Sequence, residues 1–81
     1  MNIRVIYFAS ARDLASVRSE ELEVAEGSTL EKLAANIFRL HPPLGKMERS
    51  LKFSINLELG EVDRPLHEGD EIGVLPPVAG G

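Results

Sequence analysis

Residues 28–41 read STLEKLAANIFRLH, and this stretch decides the fold. Its apolar residues recur at the three- and four-residue spacing of a helix that buries one stripe. The stripe consists of Leu30, Leu33, Ala34, Ile37 and Leu40. Ser28 and Glu31 have the spacing of a capping box, in which each side chain satisfies a free backbone N–H. Pro42 and Pro43 end the pattern, because proline lacks the N–H and clashes with the preceding turn. We therefore predict one long amphipathic helix over residues 28–41.

The segment before this helix predicts two strands joined by a short helix. Residues 2–8 alternate: Ile3, Val5 and Tyr7 point to one face, and Ile6 and Phe8 point to the other beside Arg4. Two apolar faces are typical of a central strand, and a partner protein could cover one of them. Ser10 and Asp13 predict the start of a helix that ends between residues 16 and 19. Residues 20–24 predict the second strand, with Leu22 and Val24 inward and Glu21 and Glu23 outward.

The segment after the long helix predicts the rest of the sheet. Residues 42–51 are polar and read as a loop or one helical turn. Residues 52–59 alternate and predict a strand whose inward side chains are Phe53, Ile55, Leu57 and Leu59. Residues 71–75 predict the last strand, which Pro76 and Pro77 end. The expected architecture is an α+β roll, with a mixed four- to five-stranded sheet packed on one main helix.

Composition excludes several classes of function. The chain has 81 residues, which is one small domain, and it has no Cys, so it offers neither a disulfide nor a thiolate ligand or nucleophile. A formal net charge of -4 with no Trp and one Tyr argues against nucleic acid. No apolar run approaches the ~20 residues of a membrane span. The N-terminal segment has no signal-peptide cleavage pattern, so we expect a cytoplasmic protein without a membrane anchor.

Groups for conventional catalysis are sparse. His41 and His67 lack patterned ligand neighbours, so we expect no metal site, and we interpret His41 as a helix-dipole contact. No phosphate-binding glycine loop and no nucleophile elbow occur. An acidic cluster at residues 20–26 has two interpretations, protection of a sheet edge or docking onto a basic partner. The chain therefore does not look like an enzyme on its own.

The C-terminal segment, residues 76–81, reads PPVAGG and is the remaining candidate. Two prolines favour an extended conformation, and six residues reach at most about 20 Å from the last strand. Such a tail could enter a narrow channel of another protein, presenting the Gly81 α-carboxylate without an obstructing side chain. A carboxylate is a poor electrophile, so it needs activation from outside. The residues alone leave two alternatives, a carrier that acts through Gly81 and an inert tail.

The chain resembles the molybdopterin synthase small-subunit family (MoaD type) over essentially its whole length. Residues 65–72 (PLHEGDEI) and 76–81 (PPVAGG) match the C-terminal signature of that family. Residues 7–14 (YFASARDL) resemble its F-F-A-x-x-R-E-L stretch, and Ile55-Asn56 matches its V-N before a turn. Three features depart from the family: residues 15–16 lack a common glycine, residues 73–75 lack an aromatic strand end, and residues 42–51 have no match.

The resemblance implies a β-grasp, ubiquitin-like domain over residues 1–75 with a Gly-Gly tail over residues 76–81. It also implies a sulfur carrier that is not catalytic alone. An E1-like enzyme would use ATP and magnesium to adenylate Gly81, and a sulfur donor would convert the adenylate to a thiocarboxylate. The sulfur would then pass to cyclic pyranopterin monophosphate in a large catalytic subunit, forming the molybdopterin dithiolene. The family implies a heterotetramer with two large subunits, and this chain itself binds no cofactor.

Partner contacts follow from the same resemblance. The threaded arm is Pro76, Pro77, Val78, Ala79 and Gly80. Phe8 and Leu75 are candidates for apolar docking, with Pro76 beside them, and ordinary packing is the alternative for all three. Arg12 matches an arginine of the family and is a docking residue or a surface salt bridge. Two other functions stay open: sulfur delivery to thiazole, cysteine or tRNA thiolation, and protein modification through an isopeptide bond at Gly81.

Overall fold

The computed structural model describes residues 1–77 and confirms the predicted α+β architecture. Five strands form one mixed sheet, which packs against the long helix. In chain order the elements are β1 (Asn2–Tyr7), α1 (Ala9–Ala15), β2 (Ser19–Glu23), α2 (Leu30–Leu40), a 3-10 helix (Pro42–Met47), β3 (Lys52–Ile55), β4 (Glu58–Leu59) and β5 (Glu71–Leu75). The strand order is β2-β1-β5-β3-β4, and only the β1–β5 pair among these is parallel.

The core lies on one face of the sheet. Leu40, the last residue of α2, is 41% exposed, so its predicted place in the buried stripe is wrong. Leu30, Leu33 and Ile37 are at most 1% exposed, as that stripe requires. They meet alternate residues of the strands, including Val5 and Ile72, which are fully buried. Both α-helices and the 3-10 helix contribute to this one cluster. The predicted inward set of β1, namely Ile3, Val5 and Tyr7, is therefore confirmed.

The start of α2 differs from the predicted capping box. The N-cap is Thr29, whose hydroxyl accepts a hydrogen bond from the backbone N–H of Lys32 at 3.4 Å. Ser28 is buried instead, and its carbonyl accepts from the N–H of Leu66 at 2.9 Å. Because this long-range bond fixes Ser28 in an extended connection, the helix begins two residues later than predicted.

The short helix α1, in contrast, begins earlier than the sequence predicts. Its N-cap is Phe8, which provides no side-chain cap, so the predicted capping role of Ser10 is wrong. The carbonyl of Phe8 accepts from the backbone N–H groups of Ala11 and Arg12, which winds the first turn directly from the end of β1. The helix ends at Ser16, in the left-handed conformation with φ 62°.

The predicted strand over residues 52–59 is interrupted by a hairpin turn. Asn56 and Leu57 both have positive φ, 50° and 75°, which is typical of the turn that joins two antiparallel strands tightly. Leu57 and Leu59 are 90% and 71% exposed, so their predicted inward orientation is wrong. The Asn56 side chain stabilises the turn, because its Oδ1 accepts from the N–H of Glu71 at 2.9 Å.

Candidate functional site

The predicted tail begins at the middle of the sheet. Leu75 ends β5, which lies between β1 and β3. Pro76 is partly buried and Pro77 is exposed. The remaining tail residues predicted to act, Val78, Ala79, Gly80 and Gly81, lie outside the described residues. Because β1 and β5 are parallel, the tail leaves the sheet at the same end as Phe8, whose N–H donates to the carbonyl of Val74 at 3.2 Å.

The sheet face opposite the core carries an apolar surface next to the start of the tail. We call it the apolar sheet face and define it by four residues: Ile6, Phe8, Leu59 and Leu75. Strand alternation places Ile6 and Phe8 opposite the buried residues of β1. Leu59 pairs with Ser54, and Ser54 pairs with Gly73, so all three share this face. Within residues 1–77, the helical elements contribute their buried residues to the core on the other face.

Gly73 determines how Phe8 sits on this face. A Cβ atom at Gly73 would lie 3.2 Å from Cε2 of Phe8 and would collide with the hydroxyl of Ser54. The Phe8 ring therefore lies over the glycine, which is why Gly73 is buried although the outer face is open. Phe8 remains 44% exposed. The resulting surface presents a partly exposed aromatic ring, which suits a contact with another protein.

Phe8 directly follows β1 and Leu75 ends the neighbouring strand β5 at the start of the tail, and their docking onto a partner stays a prediction. Ile6 and Leu59 belong to the same surface, but neither was among the predicted docking residues, which were Phe8, Leu75, Pro76 and Arg12. Leu59 was missed because it was predicted to point inward. The resemblance of Ile55-Asn56 to a strand end before a turn was the sequence feature that could have indicated that Leu59 points outward.

Arg12 is exposed on the first turns of α1, and its backbone N–H donates to the carbonyl of Phe8 at 3.3 Å. Within residues 1–77, Arg12 forms no ion pair shorter than 4.0 Å. Near the opposite end of β1, Arg4 Nε lies 4.0 Å from Glu71 Oε2, and both side chains are about half exposed. Such an exposed pair contributes little to stability. Cationic side chains thus lie near both ends of β1.

A second polar cluster, on the core side, was not predicted. The Tyr7 hydroxyl donates to Glu20 Oε2 at 2.5 Å, and His41 Nε2 lies 2.6 Å from the same oxygen. Since a carboxylate oxygen accepts both bonds, Nε2 of His41 carries a proton. The Tyr7 and His41 rings are also in edge-to-face contact, with centroids 5.3 Å apart. Burial, and then the hydrogen bond and charge of Glu20, raise the pKa of Tyr7 well above its usual range.

This cluster changes the interpretation of His41 and Glu20. His41 does terminate α2, where its N–H donates to the carbonyl of Ile37 at 2.8 Å, but its ring is used to join α2 to β2. Glu20 is an inward-facing acceptor rather than part of an exposed acidic edge. The cluster is closed by its own hydrogen bonds and leaves no side chain directed at a substrate.

The second histidine, His67, lies at the surface. The His67 side chain is 80% exposed, with Nδ1 4.0 Å from Asp70 Oδ2. Across residues 1–77, no three His, Asp or Glu side chains are grouped so that they could hold a metal ion. Neither α1 nor α2 has the length and apolar character that a bilayer-spanning helix needs. The apolar sheet face and the start of the tail are therefore the candidate site.

Several known proteins are similar to this chain in sequence and in fold. The model of the ThiS family matches residues 5–81. The molybdopterin synthase sulfur carrier subunit of Chlamydomonas reinhardtii is 35% identical over 83 residues, with 100% of both chains covered. The structure of a putative molybdopterin converting factor subunit 1 from Pyrococcus furiosus has a TM-score of 0.88 at 30% identity, covering 96% of this chain and 99% of that one.

A complex is also among the similar structures. Subunits 1 and 2 of the molybdopterin-converting factor from Helicobacter pylori 26695 were solved together, and the matching chain has a TM-score of 0.74 at 26% identity with 100% of both chains covered. These superpositions and the observed strand order confirm the predicted ubiquitin-like β-grasp fold.

Proposed function

The chain belongs to the ThiS family, and from that premise we propose that it is the sulfur carrier subunit of a molybdopterin synthase. The observation that carries this proposal is end-to-end similarity to a sulfur carrier subunit, at 35% identity over 83 residues. The sequence adds that the chain ends in Gly80-Gly81 and has no Cys. Since no internal thiol can hold sulfur, the Gly81 carboxylate is the group that carries it.

The proposed chemistry takes place in three steps at the Gly81 carboxyl carbon. In an E1-like enzyme, a carboxylate oxygen attacks the α-phosphorus of ATP, and pyrophosphate leaves with magnesium. A donor of sulfide-level sulfur then attacks the carbonyl carbon of the acyl-adenylate, the bond from that carbon to the AMP oxygen breaks, and AMP leaves, so that a thiocarboxylate remains. Finally the thiocarboxylate sulfur attacks a carbon of cyclic pyranopterin monophosphate in the large subunit, and the C–O bond at that carbon breaks, with the oxygen leaving on the opened phosphate ester or as water. Hydrolysis of the acyl–sulfur link restores the Gly81 carboxylate, and a second loaded carrier supplies the second sulfur of the dithiolene. Activation by a partner is necessary because an ionised carboxylate with a pKa of about 3.5 resists nucleophiles.

The structure supports this role through the position of the tail. Leu75 and Pro76 lead into the tail beside Phe8, so a partner that docks on the apolar sheet face also receives the tail. We propose that the large catalytic subunit binds Ile6, Phe8, Leu59 and Leu75, with Arg12 at the margin. We further propose that two carriers and two large subunits form a heterotetramer. The Helicobacter pylori complex of subunits 1 and 2 supports a partner of this class.

Intact-mass spectrometry of the chain purified from its own host tests the proposal. We expect a population heavier by the replacement of one oxygen with sulfur, which disappears when Gly81 is deleted. The matched control is Gly45→Ala, because a Cβ at Gly45 would meet no atom within 4 Å. The loaded carrier plus the large subunit should convert cyclic pyranopterin monophosphate to molybdopterin.

Three results would reject the assignment. Conjugates of this chain with other proteins, lost on deletion of Gly81, would indicate a protein modifier. A thiocarboxylate that forms but is not consumed by the large subunit would indicate a different thiolation pathway, such as thiazole, cysteine or tRNA thiolation. An unmodified C-terminus together with unchanged host molybdoenzyme activity after deletion of Gly81 would indicate an inert tail.

A further inference from the structure

A second apolar surface lies on the helix side of the sheet, between α2 and β3. We call it the helix-side groove. It encloses about 360 Å³. Its apolar lining consists of Ala34, Ala35, Phe38, Leu51, Phe53 and Val62. Phe53 pairs with the buried Val74 and so points to the core side of the sheet. The groove therefore opens on the opposite face from the apolar sheet face, and the proposed tail chemistry does not use it.

The walls of the groove are held by backbone hydrogen bonds. The N–H of Glu31 in the first turn of α2 donates to the carbonyl of Val62 at 2.8 Å, and the N–H of Leu30 donates to that of Arg64 at 3.0 Å. On the other side, the N–H of Leu51 donates to the carbonyl of Met47 at 2.9 Å. The groove is thus already formed in the free chain, so binding of a partner requires little free energy to order its walls.

The charges around the groove indicate what kind of occupant it fits. Its two charged lining residues are both acidic, Glu31 and Glu48. Within residues 1–77, neither carboxylate has a cation within 4.0 Å. Lys46 and Arg49 line a neighbouring hollow that also includes Glu48. An apolar floor between two carboxylates complements an apolar side chain with cations on either side.

We propose that the helix-side groove binds a partner protein through a segment in which apolar residues are flanked by Lys or Arg. A second copy of this chain is a poor occupant, because each copy has a net charge of -4. On the proposed function, this partner stays bound while another protein holds the apolar sheet face and the tail. Two proteins can then contact one carrier at the same time, one on each side of the sheet.

Titration of the full-length ¹⁵N-labelled chain with a blocked peptide, Lys-Arg-Leu-Leu-Arg-Lys, tests the proposal. We expect the amide signals of Ala34, Phe38 and Val62 to shift. The double variant Glu31→Gln/Glu48→Gln should bind roughly tenfold more weakly, since it removes both charge contacts. Ala35→Arg, which places a cation in the groove, should also weaken binding. Glu23→Gln, exposed on β2, is the matched control and should bind like the original chain.

The proposal is wrong if the shifts occur only on the apolar sheet face, or if both groove variants bind as well as the control. It is also wrong if a peptide with Glu in place of Lys and Arg, or with Ser in place of Leu, binds equally. Groove signals that shift with protein concentration alone would assign the surface to self-association. Deletion of Gly81 should leave peptide binding unchanged, so this test is independent of whether Gly81 carries sulfur.

Discussion

At the scale of single residues, the Tyr7–Glu20–His41 cluster shows how far sequence reasoning reaches. Alternation in β1 correctly predicted that Tyr7 is inward. It could not predict that the hydroxyl has an acceptor, because Glu20 lies in a run of acids that resembles an ordinary solvated edge. Glu20 can be identified as this acceptor only from the pairing of β1 with β2, because their register places the inward side chains of β2 against Tyr7. A buried hydroxyl requires such a partner.

Removal of the shared acceptor should destabilise the fold. In Glu20→Ala, the buried Tyr7 hydroxyl and the His41 ring lose their partner, so we expect a loss of about 1–3 kcal/mol in the free energy of unfolding. Tyr7→Phe should cost less, because it removes the donor together with its need for an acceptor. Glu23→Ala on the same strand is exposed and should change stability by less than about 0.5 kcal/mol. Urea unfolding measures all three, and equal losses in Glu20→Ala and Glu23→Ala would contradict the role of Glu20.

Alkaline pH should weaken the folded state through Tyr7. Its pKa is raised by burial and by Glu20, whereas in the unfolded chain it ionises at about 10. The unfolded state therefore binds fewer protons above that pH, and stability falls by up to about 1.4 kcal/mol for each further pH unit. Below about pH 10 the contribution of Tyr7 is fully present.

The single Tyr of the chain makes this measurable. Tyrosinate absorbance should appear only together with unfolding, and Tyr7→Phe should show a shallower loss of stability with rising pH. A tyrosinate signal near pH 10 in a chain that remains folded would contradict the raised pKa.

At the scale of elements, the order of the two α-helices and of the first, second and last strands was predictable, but the division of residues 52–59 into two strands at Ile55 was not. Alternation over residues 52–59 is as regular as in a true strand. This alternation wrongly predicts one continuous strand, because the Asn56 side chain accepts a hydrogen bond from Glu71, 15 residues away, and the chain turns at Asn56. Its Nδ2 also donates to Asp70 Oδ1 at 3.0 Å. Periodicity records which side chains share a face only while the backbone stays extended, and a distant partner of one side chain can end that extension.

The turn itself can be improved. Leu57 has φ 75°, a conformation that costs a residue with a Cβ roughly 1 kcal/mol, and its side chain is 90% exposed. Leu57→Gly should therefore stabilise the domain by up to about 1 kcal/mol, since Asn-Gly is the preferred pair for this turn. Leu57→Ala keeps the strained φ and should leave the melting temperature nearly unchanged. If Leu57→Gly and Leu57→Ala have the same melting temperature, the positive φ at position 57 does not lower the stability of the domain.

At the scale of the whole molecule, the sheet separates two surfaces with different chemistry. The apolar sheet face is continuous with the start of the tail, and the helix-side groove lies behind it. The two apolar faces of β1 predicted that a partner could cover one of them, and the resemblance to the molybdopterin synthase small-subunit family gave Phe8 and Leu75 as docking candidates on the first surface. Sequence reasoning missed the groove, which is assembled from α2, β3 and the segment near Val62 and has no signature within any one of them.

Substitution on the apolar sheet face should impair assembly without unfolding the carrier. Phe8 and Leu59 are 44% and 71% exposed, so Phe8→Ser and Leu59→Ser remove contact area that the free chain leaves in water. We expect each to weaken binding to the large subunit by roughly tenfold or more, with little change in unfolding. Leu57→Ser is the control, exposed at the hairpin tip. Isothermal titration calorimetry measures the affinity of each variant for the large subunit. Unchanged affinity in both Phe8→Ser and Leu59→Ser would mean that the large subunit binds another surface of the carrier.

The position of β5 has a consequence for how the protein is made. Residues 71–75 follow the other four strands of residues 1–77 in the chain, yet they form the middle of the sheet, between β1 and β3. On the ribosome, β1 and the β3–β4 hairpin have no strand joining them until these residues emerge. The five-stranded sheet therefore cannot close before residues 71–75 have been synthesised, because β5 is the strand that joins β1 to β3. A nascent chain interrupted before residue 71 cannot assemble the apolar sheet face, so partners encounter that surface only on chains whose synthesis has reached the tail.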